Sequence, residues 1–263
     1  MLRIRKDDDE AIAHSLQLPQ ISFLIKKKTN MRIGGFQKLT LIDFPGTIAT
    51  TVFTVGCSFR CPFCHNPELV IRSQFPALNK LEEEFFQHLE KRKGRLEGVC
   101  ITGGEPTIQP DIIEFIKKIK AMGYKVKLDS NGTRPDVLRR IIKEKLVDFI
   151  AMDIKHSPKK YSIATGLTTD IARIKMSVIM IMQSGVPYEF RTTVVPGIHS
   201  EDDFLKIAKW IKGAKAYYLQ EYREMRTINP NMKKITSGKT LDLEKIKKSI
   251  ENNFDICGIR ENN

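Results

Sequence analysis

Six short runs rich in β-branched and apolar residues, at 47–55, 97–102, 125–130, 147–155, 188–195 and 216–222, alternate with stretches of helical periodicity at 81–91, 111–122, 135–144, 170–184 and 200–211. This alternation points to a parallel sheet of βα units, because parallel neighbours need a crossover long enough to hold a helix. The chain has 263 residues, and a complete eight-unit barrel takes about 250 by itself. The expected fold is therefore α/β, an open or partial TIM-type barrel of six units, (β/α)6. Sites in such sheets lie at the carboxyl ends of the strands, so the residues that end each run carry the candidate chemistry.

Those residues are unusual. GCSFRCPFCHNP follows the first run, GGEP the second, DSNG ends the third, DIK ends the fourth and PGIH follows the fifth. Cys57, Cys61 and Cys64 fall in one loop of a chain with only five cysteines, and three chemistries compete for them. CPFCH satisfies the pattern of c-type haem attachment, but leaves Cys57 and all the downstream motifs without a part. A zinc site of three cysteines and His65 is a second reading, although structural zinc sites bring a second ligand pair from another segment, and neither Cys100 nor Cys257 has a partner cysteine at short spacing. The third is an iron–sulfur cluster on three thiolates. A four-iron cluster normally takes four cysteines, so a three-cysteine loop leaves one iron open to a ligand that is not protein.

CxxxCxxC with an aromatic residue before its last cysteine, together with Gly103-Gly104-Glu105-Pro106 after the next strand, resembles the signature of the radical S-adenosylmethionine (SAM) enzymes. The resemblance implies a partial barrel, a 4Fe-4S cluster held by Cys57, Cys61 and Cys64, and SAM chelating the fourth iron. Reductive cleavage of SAM would then give a 5′-deoxyadenosyl radical that abstracts hydrogen from a substrate. Consecutive glycines give a backbone room for close approach, and Glu105 can accept hydrogen bonds from an ammonium group. Asp129, Ser130 and Asn131 of DSNG stand where the family contacts the cofactor. MDIK at 152–155 is similar to the DxK motif of glycyl-radical enzyme activases; it implies Lys155 as a charge partner of SAM, and Asp129 with Asp153 as holders of a monovalent cation. RTTVVPGIH, 191–199, resembles a segment of the same activases and implies Arg191 inside the barrel and His199 at its rim.

The stretch IGGFQKLTLIDFPGTIATTVFTVGC, 33–57, and the CHNPELV that overlaps the cysteine loop resemble the activating proteins of anaerobic ribonucleoside-triphosphate reductases. The implied function is installation of a glycyl radical on that reductase, with flavodoxin or ferredoxin as electron donor. Activation of another glycyl-radical enzyme, of the pyruvate formate-lyase type, shares the DxK and VVPG features; radical chemistry on a small molecule or RNA is more distant. The likeness runs from 31 to about 222. It divides the chain into an N-terminal extension at 1–30, expected to be disordered or to reflect a misassigned start, a core domain at 31–225, and a helical tail at 226–263 packing on the barrel.

Composition narrows the remaining classes. No apolar run reaches the roughly eighteen residues of a membrane-spanning helix, and DDDE at 7–10 does not suit a secretory signal. A cytoplasmic location follows, where clustered cysteines bind metal more often than they form disulfides. The formal charge of +13 is spread over short runs without interleaved aromatics, which fits solvated helix faces or an acidic protein partner better than nucleic acid.

Overall fold

The computed structural model describes residues 29–71 and 79–260; the expected N-terminal extension, apart from its last two residues, lies outside them. Strand β1 (Ile33–Thr40) runs antiparallel to β2 (Ala49–Thr54), after which strands and crossovers alternate. Helices α1 (Pro67–Val70) and α2 (Asn79–Lys91) lead to β3 (Gly98–Gly103), α3 (Ile112–Ala121) to β4 (Lys125–Ser130), and α4 (Pro135–Lys143) to β5 (Phe149–Asp153). Helices α5 (Tyr161–Thr165) and α6 (Ile171–Gln183) lead to β6 (Tyr188–Val194), and α7 (Glu201–Trp210) to β7 (Ala216–Glu221). The chain then passes through α8 (Met232–Thr236) and α9 (Leu243–Ile250) into β8 (Ile256–Arg260).

The eight strands lie in sequence order in one sheet, parallel from β2 to β8. Among the described residues β1 and β8 are not hydrogen-bonded to each other, so the barrel is partial. The six expected strands are β2 to β7. Two edge strands join them. β1 reads IGGFQKLT, with adjacent glycines and exposed polar residues, and β8 reads ICGIR with a central glycine; neither has the β-branched run by which a buried strand announces itself. The tail at 226–263 thus includes a strand of the same sheet as well as two helices.

Period-two alternation sorts each central strand into two faces. Val126, Leu128, Ile150, Phe190 and Leu219 are fully buried in the main apolar cluster, together with core residues of the helices. The other face turns inward, and there the strands carry charge: Lys127 and Asp129 on β4, Asp153 on β5, Glu189 and Arg191 on β6. At one flank the aromatics of α2 and α3 fill the space between helix and sheet, Phe85 stacking on Phe115 at 5.6 Å and Phe86 meeting Phe115 edge-on at 5.4 Å. Among the described residues no helix is long and apolar enough to cross a membrane.

Phe115 is wholly buried and wedged against Phe85 and Phe86 of α2, so Phe115→Ala leaves a cavity that these rings fill only in part. The expected loss is about 3–5 kcal/mol, read as a lower urea midpoint with an unchanged slope.

Candidate active site

The site begins where β2 and β3 end side by side. Gly104 N–H donates to Thr54 O at 2.9 Å and Glu105 N–H to Gly56 O at 2.8 Å. The two strands meet so closely that a Cβ on Gly104 would stand 2.1 Å from Gly56 O, and one on Gly103, whose φ is +108°, 2.4 Å from Thr54 N. Within the protein, then, these glycines allow one backbone to close on another. Gly56, at φ +99°, turns the chain directly into the cysteine loop.

Glu105 is the hub of the next layer. Its side chain is buried, and its carboxylate accepts from Thr107 N at 3.0 Å, Thr107 Oγ1, Ser130 Oγ at 2.9 Å and Asn131 N at 2.6 Å. Burial pushes its pKa up, and the Thr107, Asn131 and Ser130 donors pull it back. Asn131 carries the connection onward, its amide Nδ2 donating to Ser58 Oγ at 3.0 Å and lying 3.7 Å from Cys57 Sγ. Glu105 and Asn131 thereby fasten the ends of β3 and β4 to the cysteine loop.

Around this frame lies a cavity of about 230 Å³, lined by Cys57, Cys61, Cys64, Gly103, Gly104, Glu105, Asp129, Ser130, Asn131, Asp153 and Lys155 among others. Eleven of the thirteen residues singled out from sequence share this wall. Arg191 and His199 do not. Arg191 lies beneath the wall, its Nε donating to Asp153 Oδ1 at 2.9 Å and its Nη2 to Asp129 Oδ2 at 3.2 Å. Lys127 pairs with Asp129, and Lys155 Nζ with Asp153 Oδ2 at 3.1 Å. Burial alone would raise both aspartate pKa values, but these cations hold them below the usual carboxylate range. The negative charge a monovalent cation would neutralise is therefore already neutralised by protein.

His199 is buried rather than at the rim. Its Nδ1 accepts from Val195 N at 3.0 Å, which leaves Nε2 to donate to Lys155 O at 2.9 Å. The ring clamps the end of β6 to the residues after β5. Burial pushes its pKa down to about 4. His65, a ligand only in the zinc reading, stacks on Tyr222 with centroids 5.4 Å apart, and its Nε2 lies 2.9 Å from Arg223 O.

The family described as the Radical SAM superfamily matches residues 51–211, which hold all three cysteines and every cavity residue named above. The chain belongs to the radical SAM superfamily. Within it, a Methanocaldococcus jannaschii protein provisionally named a glycyl-radical enzyme activating enzyme is 31% identical over 233 residues, covering 87% of this chain and 95% of the relative. The match places this radical SAM chain with the glycyl-radical enzyme activating enzymes. The pyruvate formate-lyase-activating enzyme of Streptococcus mutans is 29% identical over 200 residues, 72% of this chain and 75% of the relative. SuiB of Streptococcus suis, solved bound to S-adenosylmethionine, shares the fold at TM-score 0.59 and 15% identity, with 80% of this chain matched; the radical SAM chain spans about half of SuiB, 48%.

The family implies an iron–sulfur cluster and SAM, and the donor set of this radical SAM site fits both. All three cysteines line one cavity. Burial pushes the Cys57 and Cys61 thiols up to about 11 and about 12 and raises that of Cys64, while the Lys155 ammonium opposes the rise in all three. Lys155 itself stays charged, because the Asp153 carboxylate and the Cys61 sulfur outweigh its burial. A fixed cation beside three sulfurs suits thiolates bearing metal. Among the described residues no three His, Cys, Asp or Glu side chains are gathered to ligate a single metal ion. What the cysteines share is the wall of a chamber. Hydroxyl, amide, carboxylate and ammonium groups on the facing wall suit the amino-acid end of SAM.

Several contributors were not singled out from sequence. Phe59 and Val70, beside the motif's own aromatic Phe63, give the cavity apolar wall, and Thr102 and Thr193 add hydroxyl groups. Lys127 and Glu189 carry a signal in hindsight, each a charged residue two positions before a site residue on a strand otherwise buried.

Gly104→Ala drives a Cβ into the Gly56 carbonyl and should cost about 3 kcal/mol and most of the bound iron, whereas Cys100→Ala, altering a sulfur outside the cavity wall, should keep its iron; iron and sulfide assays after anaerobic reconstitution compare them. The lowered His199 pKa means that the unfolded chain binds more protons between the ordinary histidine value of 6.5 and about 4. Stability conferred by neutral His199 is complete above pH 6.5 and is lost as pH falls toward 4, by on the order of 3 kcal/mol. Urea titrations across this window should show a shallower decline for His199→Gln.

Proposed function

We propose that this enzyme installs a glycyl radical on an anaerobic ribonucleoside-triphosphate reductase. The observation that carries the general chemistry is the joint placement of three cysteines, Glu105 and the Asp153–Lys155 pair around one chamber at the carboxyl ends of parallel strands. The choice of reductase rests on the LTLIDFPG segment, which resembles the reductase activases. It forms the turn between β1 and β2, with Asp43 Oδ2 accepting from Thr51 Oγ1 at 2.5 Å and Phe44 buried. The Streptococcus mutans relative supports a second reading, activation of an enzyme of the pyruvate formate-lyase type.

In either case, Cys57, Cys61 and Cys64 would hold the cluster, and Lys155 would offset charge beside them. Ser130 and Asn131, fixed by Glu105, would orient the amino-acid portion of SAM. The buried Phe59, Phe63 and Val70 would limit water around the reacting atoms. Cluster and SAM together would supply an electron for sulfonium cleavage and the radical that takes a hydrogen atom from the substrate glycine. A flavodoxin or ferredoxin donor and a cytoplasmic setting complete the proposal. The cofactor set is proposed without a monovalent cation, since Arg191, Lys127 and Lys155 already serve Asp129 and Asp153.

Anaerobically reconstituted enzyme, given SAM and a reductant, should form 5′-deoxyadenosine. Mixed separately with a ribonucleoside-triphosphate reductase and a pyruvate formate-lyase, it should give a glycyl electron-spin signal on the first alone. A signal on the second alone would transfer the assignment to the second reading. Lys155→Met should slow SAM cleavage by about a hundredfold, measured as 5′-deoxyadenosine formed over time by a cluster-loaded variant.

A further inference from the structure

The last strand sends one side chain into the barrel. Arg260 of β8 lies across the Tyr218 ring of β7, its guanidinium carbon 4.0 Å from the ring centroid. It then reaches Glu189 of β6, donating from Nη1 to Oε1 at 2.7 Å and from Nη2 to Oε2 at 2.6 Å. Gly258 makes the crossing possible, since a Cβ there would stand 2.7 Å from Tyr218 Cε1 and lift the ring off the strand. Glu189 is 1% exposed, and a buried carboxylate needs a counter-charge. Two are within reach: Arg260, and Arg191, whose Nη1 is 3.8 Å from Glu189 Oε1.

Arg191 has other duties. It bridges Asp129 and Asp153, the two aspartates of the cavity wall, and its three neighbouring carboxylates compete for one guanidinium. Among the ion-paired groups of the barrel the cations are Lys127, Lys155, Arg191 and Arg260, and the carboxylates Asp129, Asp153 and Glu189. Removing Arg260 leaves three against three, with Glu189 lacking its bidentate partner and Arg191 the nearest substitute.

We infer that Arg260 is a positioning residue for SAM binding: by occupying Glu189 it keeps Arg191 on Asp129 and Asp153 and so fixes the cavity wall. The inference rests on the reading of this cavity as the SAM site. It gives β8 a part in the site although the strand lies two places along the sheet from β6 and contributes nothing to the cavity wall. The coupling is local: a chain of directly contacting charged groups in which Glu189 can turn from Arg260 to Arg191.

A double-mutant cycle tests it on the full-length, anaerobically reconstituted enzyme, with SAM affinity measured by equilibrium dialysis. R260M should weaken SAM binding by about tenfold with iron content unchanged. Adding E189Q removes the competitor for Arg191, so R260M/E189Q should return to within about threefold of wild type. A purely structural role for β8 would not be rescued in this way, because the second substitution restores no contact to Arg260. The double variant also buries no unpaired charge and so remains informative if R260M alone folds poorly. The inference is overturned if R260M binds SAM as wild type does, or if the folded double variant stays about tenfold weaker. Wild-type enzyme that carries its cluster and fails to bind SAM would overturn the reading of the cavity as well.

Discussion

The hydrogen bond from Glu105 N–H to Gly56 O, 2.8 Å long, joins the end of β3 to the first residue of the cysteine loop, and the rest of the site is referred to it. Only because residue 104 has no side chain can the two backbones approach so closely. Once they do, the Glu105 carboxylate is carried inward to where Thr107, Ser130 and Asn131 converge on it, and Asn131 returns to Ser58 in the loop. Three strand ends and the start of the cysteine loop, at Cys57 and Ser58, thus form one hydrogen-bonded unit. A loop otherwise free to wander is held against a rigid sheet, which is the condition for sulfur ligands to meet a cluster without a large ordering cost.

Beneath that unit the barrel is lined with paired charges rather than packed with aliphatic side chains. Charged groups this deep are costly unless each is matched, and here each has a partner within a few ångströms. Arg191 is central because its guanidinium has enough donors to serve two aspartates on two different strands. Lys155 stands where this paired interior meets the sulfur-lined chamber. It is bonded to Asp153 on one side and lies close enough to the cysteines to favour their ionised forms. The network therefore both supports the wall of the cavity and sets its charge.

Much of this was legible in the sequence, for reasons that differ from residue to residue. Strands β2 to β7 stood out because burial on both faces demands apolar, β-branched runs, and the loop cysteines because three sulfurs at short spacing have few other uses. Strands β1 and β8 were missed because edge strands are under weaker compositional pressure: Gly34 and Gly35 fall at a register shift against β2, and Gly258 lies against the Tyr218 ring, so neither strand carries a clean strand pattern. His199 was expected at the rim from the resemblance of RTTVVPGIH to an activase segment; its ring instead turns inward and bonds two backbone groups, Val195 N–H and Lys155 O, that only the folded sheet brings together. The pairing of Arg260 with Glu189 joins residues 71 apart, and no local pattern announces it.

The central claim is that three cysteines hold a cluster with one iron left to SAM. Mössbauer spectroscopy of the anaerobically reconstituted enzyme, recorded before and after SAM is added, tests it most directly. The account predicts a four-iron cluster in which one iron in four changes its isomer shift on SAM addition while the other three keep theirs. A cluster whose four irons all ignore SAM, or a preparation in which iron binds without assembling into a cluster, would contradict it.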